Sequence, residues 1–285
     1  MPAMSRPPLG RRRLIAVAAL IAAALAGCGQ DPAPPSAGTF TPTTPETLTV
    51  AVDEVPRPGF WLGTADAPTG GFEHGLARAL ATRLGLDELR VVTVPFERIV
   101  SGDLGGADVA ISDVSVTDER ADVVDFSVPY LPAVPAILTR EDREVRDLLG
   151  ARELTWAVER DTTLEDALDR RIRPDGDVVR PPTQDAAIAA LTGGRVEAVL
   201  LDLPVALAYA AASEGGLRVA AQLPGDEHLA VVLPKGSDNR SAVDSALRAL
   251  RADGTTRDLA RRWLGTDLQD TQVDDVLALR TTAGR

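Results

Sequence analysis

The sequence predicts an α/β protein in which short strands alternate with amphipathic helices around parallel or mixed sheets. Two observations carry this. Short apolar runs alternate with stretches of helical apolar spacing from about residue 47 to residue 265. Residues 109–121 read as a buried strand, a hydroxyl-rich loop and a short helix. The ends differ in composition, which leaves a body of about 220 residues, enough for one large domain or two small ones.

The elements follow in order. Thr47–Val52 is the first strand, rich in Thr and Val. Phe72, Leu76, Leu80 and Leu84 recur every four residues, so they line one stripe of a helix that Gly85 ends. Residues 89–94, 109–111 and 134–139 are further strands. A second series opens with a strand at 154–158, then a helix from Thr162 and a strand at Val178–Val179. A helix at 185–191, a strand at 196–201, a helix at 204–212 and a strand at 217–221 follow. Residues 228–233 read as one strand. Ala242, Ala246, Leu247 and Leu250 mark a long helix, and Leu259 and Trp263 a last one. No internal repeat is visible.

The N-terminus reads as a targeting segment. Arg6 and Arg11 to Arg13 form a basic start, and residues 14–26 are an apolar run too short to span a bilayer. The run ends Leu25-Ala26-Gly27-Cys28, which resembles the lipobox of bacterial lipoproteins. That resemblance implies cleavage after residue 27, lipid on Cys28 and a place on the extracytoplasmic face of the cell membrane. Cys28 is the only cysteine, so no internal disulfide can form. Loss of residues 1–27 removes four arginines and no acid, moving the formal charge from −12 to −16. So acidic a body argues against nucleic acid as a partner. Residues 28–46 are rich in Pro and Thr and read as an extended, disordered tether. In the tail, 266–285, the apolar pattern is weak and leaves a short helix and disorder both open.

The loop after residues 109–111 is the strongest functional signal. Thr117 suits an N-cap, and Asp118 and Glu119 suit the first turn of a helix that aims Arg120 back at Ser112 and Ser115. Hydroxyls, backbone N–H groups and one guanidinium at a strand's carboxyl end make a pocket for a small anion such as a carboxylate.

Asp108-Val-Ala-Ile111, Thr117-Asp-Glu-Arg120 and Asp125-Phe-Ser-Val-Pro-Tyr130 occur in an order that resembles the signature of the family 3 extracellular solute-binding proteins. Gly71-Phe72-Glu73 and Asp253-Gly-Thr255 followed by Trp263 resemble the family's helix start and closing turn. The resemblance implies two α/β lobes of the type II periplasmic-binding-protein fold joined by two crossings. Lobe 1 would hold residues 47–140 and 229–265, and lobe 2 residues 141–228. It implies a monomeric receptor that hands an amino acid or related amine to an ABC transporter permease.

Position by position, the resemblance makes Arg120 the grip on a ligand carboxylate, with Ser115 in support. Asp113 stands where the family has Ser or Gly with its backbone N–H turned to that carboxylate. Thr163 closes on the same group from lobe 2, and Asp202 pairs with the α-ammonium. Phe60 or Trp61 would lie over the ligand side chain, and Asp53 near the first strand's end. Three positions depart from the family pattern: Asp113 beside Arg120, Asp161 in place of Gly, and Gly75 in place of an acid. With Asp53, Asp113, Asp161 and Asp202 facing one cleft, a cationic ligand is the expectation. His74 and His228 form no metal-ligand pattern, and no nucleophile elbow or phosphate loop occurs, so neither a metal, a cofactor nor catalysis is expected. Two alternatives remain open: a dehydratase of small carboxylates on the same fold, and a sensing subunit without transport.

Overall fold

The computed structural model describes residues 38–266 and 276–279. The signal, Cys28 and the first part of the tether lie outside the described residues, as does the rest of the tail. Lobe 1 opens with β1 (Thr47–Val52), β2 (Leu62–Gly63), β3 (Pro68–Gly70), α1 (Phe72–Arg83) and β4 (Glu88–Thr93). It continues with α2 (Phe96–Val100), β5 (Val109–Ala110), α3 (Asp118–Ala121), β6 (Val124–Phe126) and β7 (Leu131–Pro132). Lobe 2 holds β8 (Pro135–Arg140), α4 (Leu148–Arg152), β9 (Trp156–Ala157), α5 (Thr163–Ala167), a π-helical turn (Leu168–Ile172) and β10 (Val178–Val179). It ends with α6 (Gln184–Thr192), β11 (Ala198–Asp202), α7 (Leu203–Ala212) and β12 (Leu217–Gln222). The chain returns through β13 (His228–Leu229) to β14 (Val232–Pro234), α8 (Arg240–Ala252) and α9 (Thr255–Leu264).

Each lobe is built on one mixed five-stranded sheet. The orders are β4-β1-β5-β14-β6 and β10-β9-β11-β8-β12. In both, three parallel strands meet antiparallel ones: β4, β1 and β5 meet β14, and β10, β9 and β11 meet β8. Helices cover these sheets, which is why β1 and β11 are buried along nearly their whole length rather than on alternate residues. The stripe of α1 places Phe72, Leu76 and Leu80 fully inside the lobe 1 core.

The crossing into lobe 2 lies earlier than the sequence suggested. Residues 135–140 belong to the lobe 2 sheet, so the chain leaves lobe 1 just after β7. An apolar strand packs equally well in either sheet, and only its pairing with β11 and β12 assigns it. The predicted strand at 228–233 is two pieces. β13 pairs with β7 at the hinge, and β14 joins the lobe 1 sheet.

Both ends of the described body differ from expectation. Residues 38–46 are folded onto lobe 1 rather than being part of a free tether. Phe40 is buried, Asp108 accepts the backbone N–H groups of Thr43 and Thr49, and Asn239 brackets Thr41. One buried aromatic residue and these long-range hydrogen bonds dock the Pro/Thr-rich stretch. Residues 276–279 lie extended against the end of β12, with Leu279 buried in the lobe 2 core.

Candidate functional site

The carboxyl ends of β1 and β5 in lobe 1, and of β9 and β11 in lobe 2, face a common cleft. Lobe 1 lines it with Asp53, Arg57, Phe96, Ser112, Asp113, Ser115 and Arg120. Lobe 2 contributes Glu159, Thr162, Thr163, Leu164, Gln184 and Asp202. The gap is narrow. About 20 Å³ is open to the centre of a water molecule, room for roughly one or two waters, although the void measured to the atoms is about 330 Å³.

The loop after β5 takes its shape from a buried carboxylate beneath it. Glu73, at the start of α1, accepts the Asp113 N–H at 2.8 Å, the Trp61 indole N–H at 2.8 Å and the Tyr130 hydroxyl at 2.5 Å. Burial pushes the Glu73 carboxyl up and the three donors pull it back. Asp113 takes a left-handed backbone, φ 54°. Its N–H is thus spent on Glu73 rather than offered to a ligand, and its side chain faces the cleft instead. Burial, then Asp202, raise the Asp113 carboxyl well above the usual range, and its Oδ1 has no hydrogen-bond partner.

Arg120 sits on α3, whose first turn Thr117 caps by accepting the Arg120 N–H at 3.1 Å. The guanidinium donates to the Ser115 carbonyl at 3.0 Å and lies 5.3 Å from the centre of the Phe96 ring. Among the described residues it has no carboxylate within 4.0 Å. Burial lowers its pKa, with Asp202 the largest opposing influence. Asp202 ends β11 and occupies the N-cap position of α7 without a side-chain capping bond. Burial, then Glu227, push it up to about 8.

On lobe 2, Thr162 is the capping residue of α5, accepting the Glu165 N–H, which leaves Thr163 as the first helical residue on the cleft wall. Asp161 adopts φ 61°, the conformation that suits the glycine expected there. It is exposed and does not line the cleft; Glu159 does, and burial raises its carboxyl to about 8.

The structure thus brings Asp53, Asp113, Ser115, Arg120, Thr163 and Asp202 together, and leaves Phe60 and Trp61 out. Those two aromatics are core residues, at 0% and 1% exposure, with Phe60 edge-on to Phe72 and Trp61 bound to Glu73. The aromatic ring in the cleft is Phe96. Sequence reasoning also missed Arg57 and Gln184, and read Glu159 only as added charge in the lobe 2 loop. Pro95 before Phe96 is a helix-start signal that could have pointed to it. Nothing local marks Arg57.

The second half of the loop signature is structural. Asp125 accepts the N–H groups of Gly236 and Ser237, the Ser127 hydroxyl accepts that of Val231, and Tyr130 reaches Glu73.

Comparison with known proteins agrees with this geometry. The family model for bacterial extracellular solute-binding proteins, family 3, matches residues 48–266. The L-cystine-binding protein TcyJ of Escherichia coli is 29% identical over 218 residues, covering 74% of this chain and 80% of that protein. The arginine-binding protein ArgT of Corynebacterium glutamicum is 31% identical over 222 residues, 73% of this chain and 71% of its own. Among solved structures, the arginine-, lysine-, histidine-binding protein ArtJ of Geobacillus stearothermophilus superposes with a TM-score of 0.67 at 26% identity, over 77% of this chain and 96% of that one. A two-lobed fold, a cleft between the lobes and a match over most of the body lead to one assignment: the chain belongs to the bacterial extracellular solute-binding proteins, family 3.

Proposed function

We propose that this protein is an extracytoplasmic receptor that captures an amino acid between its lobes and presents it to an ABC transporter permease. The observation that carries the reading is the placement of Arg120 on lobe 1 and Asp202 on lobe 2, both lining one cleft and neither ion-paired among the described residues. A zwitterion supplies the missing partner to each. Its carboxylate takes a two-pronged bond from the Arg120 guanidinium, with the Ser115 and Thr163 hydroxyls alongside, and its ammonium meets Asp202. Because the two charges sit on different lobes, such a ligand favours the closed arrangement and shifts the population towards it. The closed shape is what a permease would read.

No catalytic step is assigned to the cleft; it acts as a binding site. Anchoring is part of the same proposal: cleavage after Gly27 leaves Cys28 to carry lipid, with the chain up to Gly38 as the tether. Among the described residues no helix is long and apolar enough to cross a membrane. Cys28→Ser should move the protein from the membrane to the soluble fraction. The central test is a thermal-shift screen of the common amino acids, since a ligand that binds only the folded form raises Tm. A shift with at least one amino acid is expected; no shift with any of them, matched by no heat of binding in calorimetry, overturns the receptor reading.

A further inference from the structure

The geometry points to Arg57 as a specificity residue: a cation built into the cleft that satisfies the acid Asp53 internally and excludes amino acids with a positively charged side chain. The inference rests on the receptor reading above and narrows its ligand to α-amino acids with an uncharged side chain.

The three cleft aspartates are not equivalent. Asp53 is saturated. Its Oδ1 accepts the Ser112 hydroxyl at 2.5 Å and the Glu54 N–H at 2.8 Å, and its Oδ2 is 2.5 Å from an Arg57 guanidinium nitrogen. Arg57 is only 2% exposed. Its backbone is held in a tight turn, its N–H donating to the Trp61 carbonyl at 2.6 Å, so the side chain has a fixed origin. The guanidinium stands 3.9 Å from the carboxylates of both Glu54 and Asp113. This end of the cleft therefore already contains a guanidinium, held by the acids that would otherwise receive one from a ligand. A ligand's own guanidinium or ammonium would have to displace Arg57 or lie against it, and like charges a few ångströms apart in a partly dry site repel strongly. The narrow gap between the lobes adds a steric argument, because Arg57 fills space that a long cationic side chain would need.

An anionic side chain is disfavoured as well, since the burial that holds the Asp113 and Glu159 carboxyls above the usual range would penalise a further carboxylate beside them. The cleft acids left without an internal counter-ion within hydrogen-bond distance are Glu159, Asp113, whose Oδ1 is unpartnered, and Asp202, and of these Asp113 and Asp202 are the two near enough to act on each other. One ammonium, the α-ammonium that every amino acid carries, can lie between them. The acidic excess of the cleft thus does not require a cationic side chain, although that is what the residue count alone suggests.

Titration calorimetry of the full chain in detergent, against the twenty amino acids and cystine, tests this. At least one amino acid with an uncharged side chain should bind, and arginine and lysine should bind at least about tenfold more weakly. In Arg57→Ala, Asp53 loses its cation, and arginine or lysine should gain at least about tenfold relative to the wild type's preferred ligand. Should Arg57→Ala fail to fold, the pair Arg57→Met with Asp53→Asn removes both charges, and the discrimination against arginine and lysine should then shrink below tenfold. Wild-type protein that prefers arginine or lysine, or a substituted protein with the wild-type ranking of ligands, overturns the role of Arg57 and leaves the receptor reading standing. Wild-type protein that binds none of the panel overturns the receptor reading itself.

Discussion

Two arginine–aspartate couples share one cleft and behave in opposite ways. Arg57 and Asp53 are closed on each other at 2.5 Å, both on lobe 1, with every oxygen of Asp53 engaged. Arg120 and Asp202 stand on different lobes, with no ion pair between them. The same two residue types form a finished internal contact in one case and an unfinished one in the other. Proximity on one rigid loop allows the first couple to collapse. The second couple is divided between the two lobes, and in the proposed receptor a ligand would complete it.

The largest effect should come from attacking the open couple. Arg120→Ala should weaken binding of the preferred amino acid by roughly a hundredfold or more, since it removes the two-pronged donor proposed for the carboxylate. Arg120→Lys should recover little of this, because an ammonium lacks the fork geometry. Calorimetry reads both. Stability should change by less than about 1 kcal/mol, and a large fall in Tm without loss of binding would reverse the roles assigned to the two couples.

Next in size is the floor beneath the closed couple. Glu73→Ala leaves the Tyr130 hydroxyl and the Asp113 N–H without their acceptor inside the core, and the Trp61 indole with only its 3.2 Å bond to the Ile111 carbonyl. A loss of about 3 kcal/mol or more is expected, read as a fall in the denaturant midpoint. A milder Glu73→Gln, which keeps an acceptor oxygen, should lose less.

A smaller effect separates the couples by pH. The carboxyls of Asp202 and Glu159 are raised to about 8 by burial, above their usual values near 4. The ligand-free fold therefore binds protons that the unfolded chain has released. Its stability is fullest below pH 4 as far as these two groups are concerned, and this contribution is lost as pH rises through about 8. Ligand binding runs the other way. An ammonium docks on ionised Asp202, so the proton must leave, and affinity should rise from pH 6 to pH 8 by up to about tenfold per unit. Proton release on binding, measured at pH 7 in buffers of different ionisation heat, checks this, and proton uptake would contradict it.

The smallest effect is at Asp161, which holds a left-handed φ of 61° with its side chain exposed. Asp161→Gly should stabilise by about 1 kcal/mol or less and leave ligand binding unchanged, as Tm and calorimetry can show.

Much of the site was legible because its signals are local. Thr117 caps its own helix, Arg120 follows three residues later, and strand, loop and helix follow one another in the chain, so the placement of Arg120 beside the hydroxyl-rich loop could be read from a dozen residues. Asp202 was placed by the family resemblance, since its local position, at the junction of an apolar strand and a Pro-started helix, reads equally as a helix N-cap. Phe60 and Trp61 were misplaced because an aromatic pair after a loop has no local mark for core or cleft. Their burial depends on Phe72 and Glu73, a dozen residues on.

The sequence by itself thus determined the alternating α/β class and the hydroxyl-rich loop with its arginine, because periodicity, capping and strand-end position act over a few residues, while the charged pair across two lobes was what the family resemblance implied. Tertiary structure alone decided which sheet takes residues 135–140, which aromatic lines the cleft, and that Arg57 turns inward to neutralise Asp53. These outcomes depend on pairing and charge contacts between segments distant in the chain, whose partners no local pattern names.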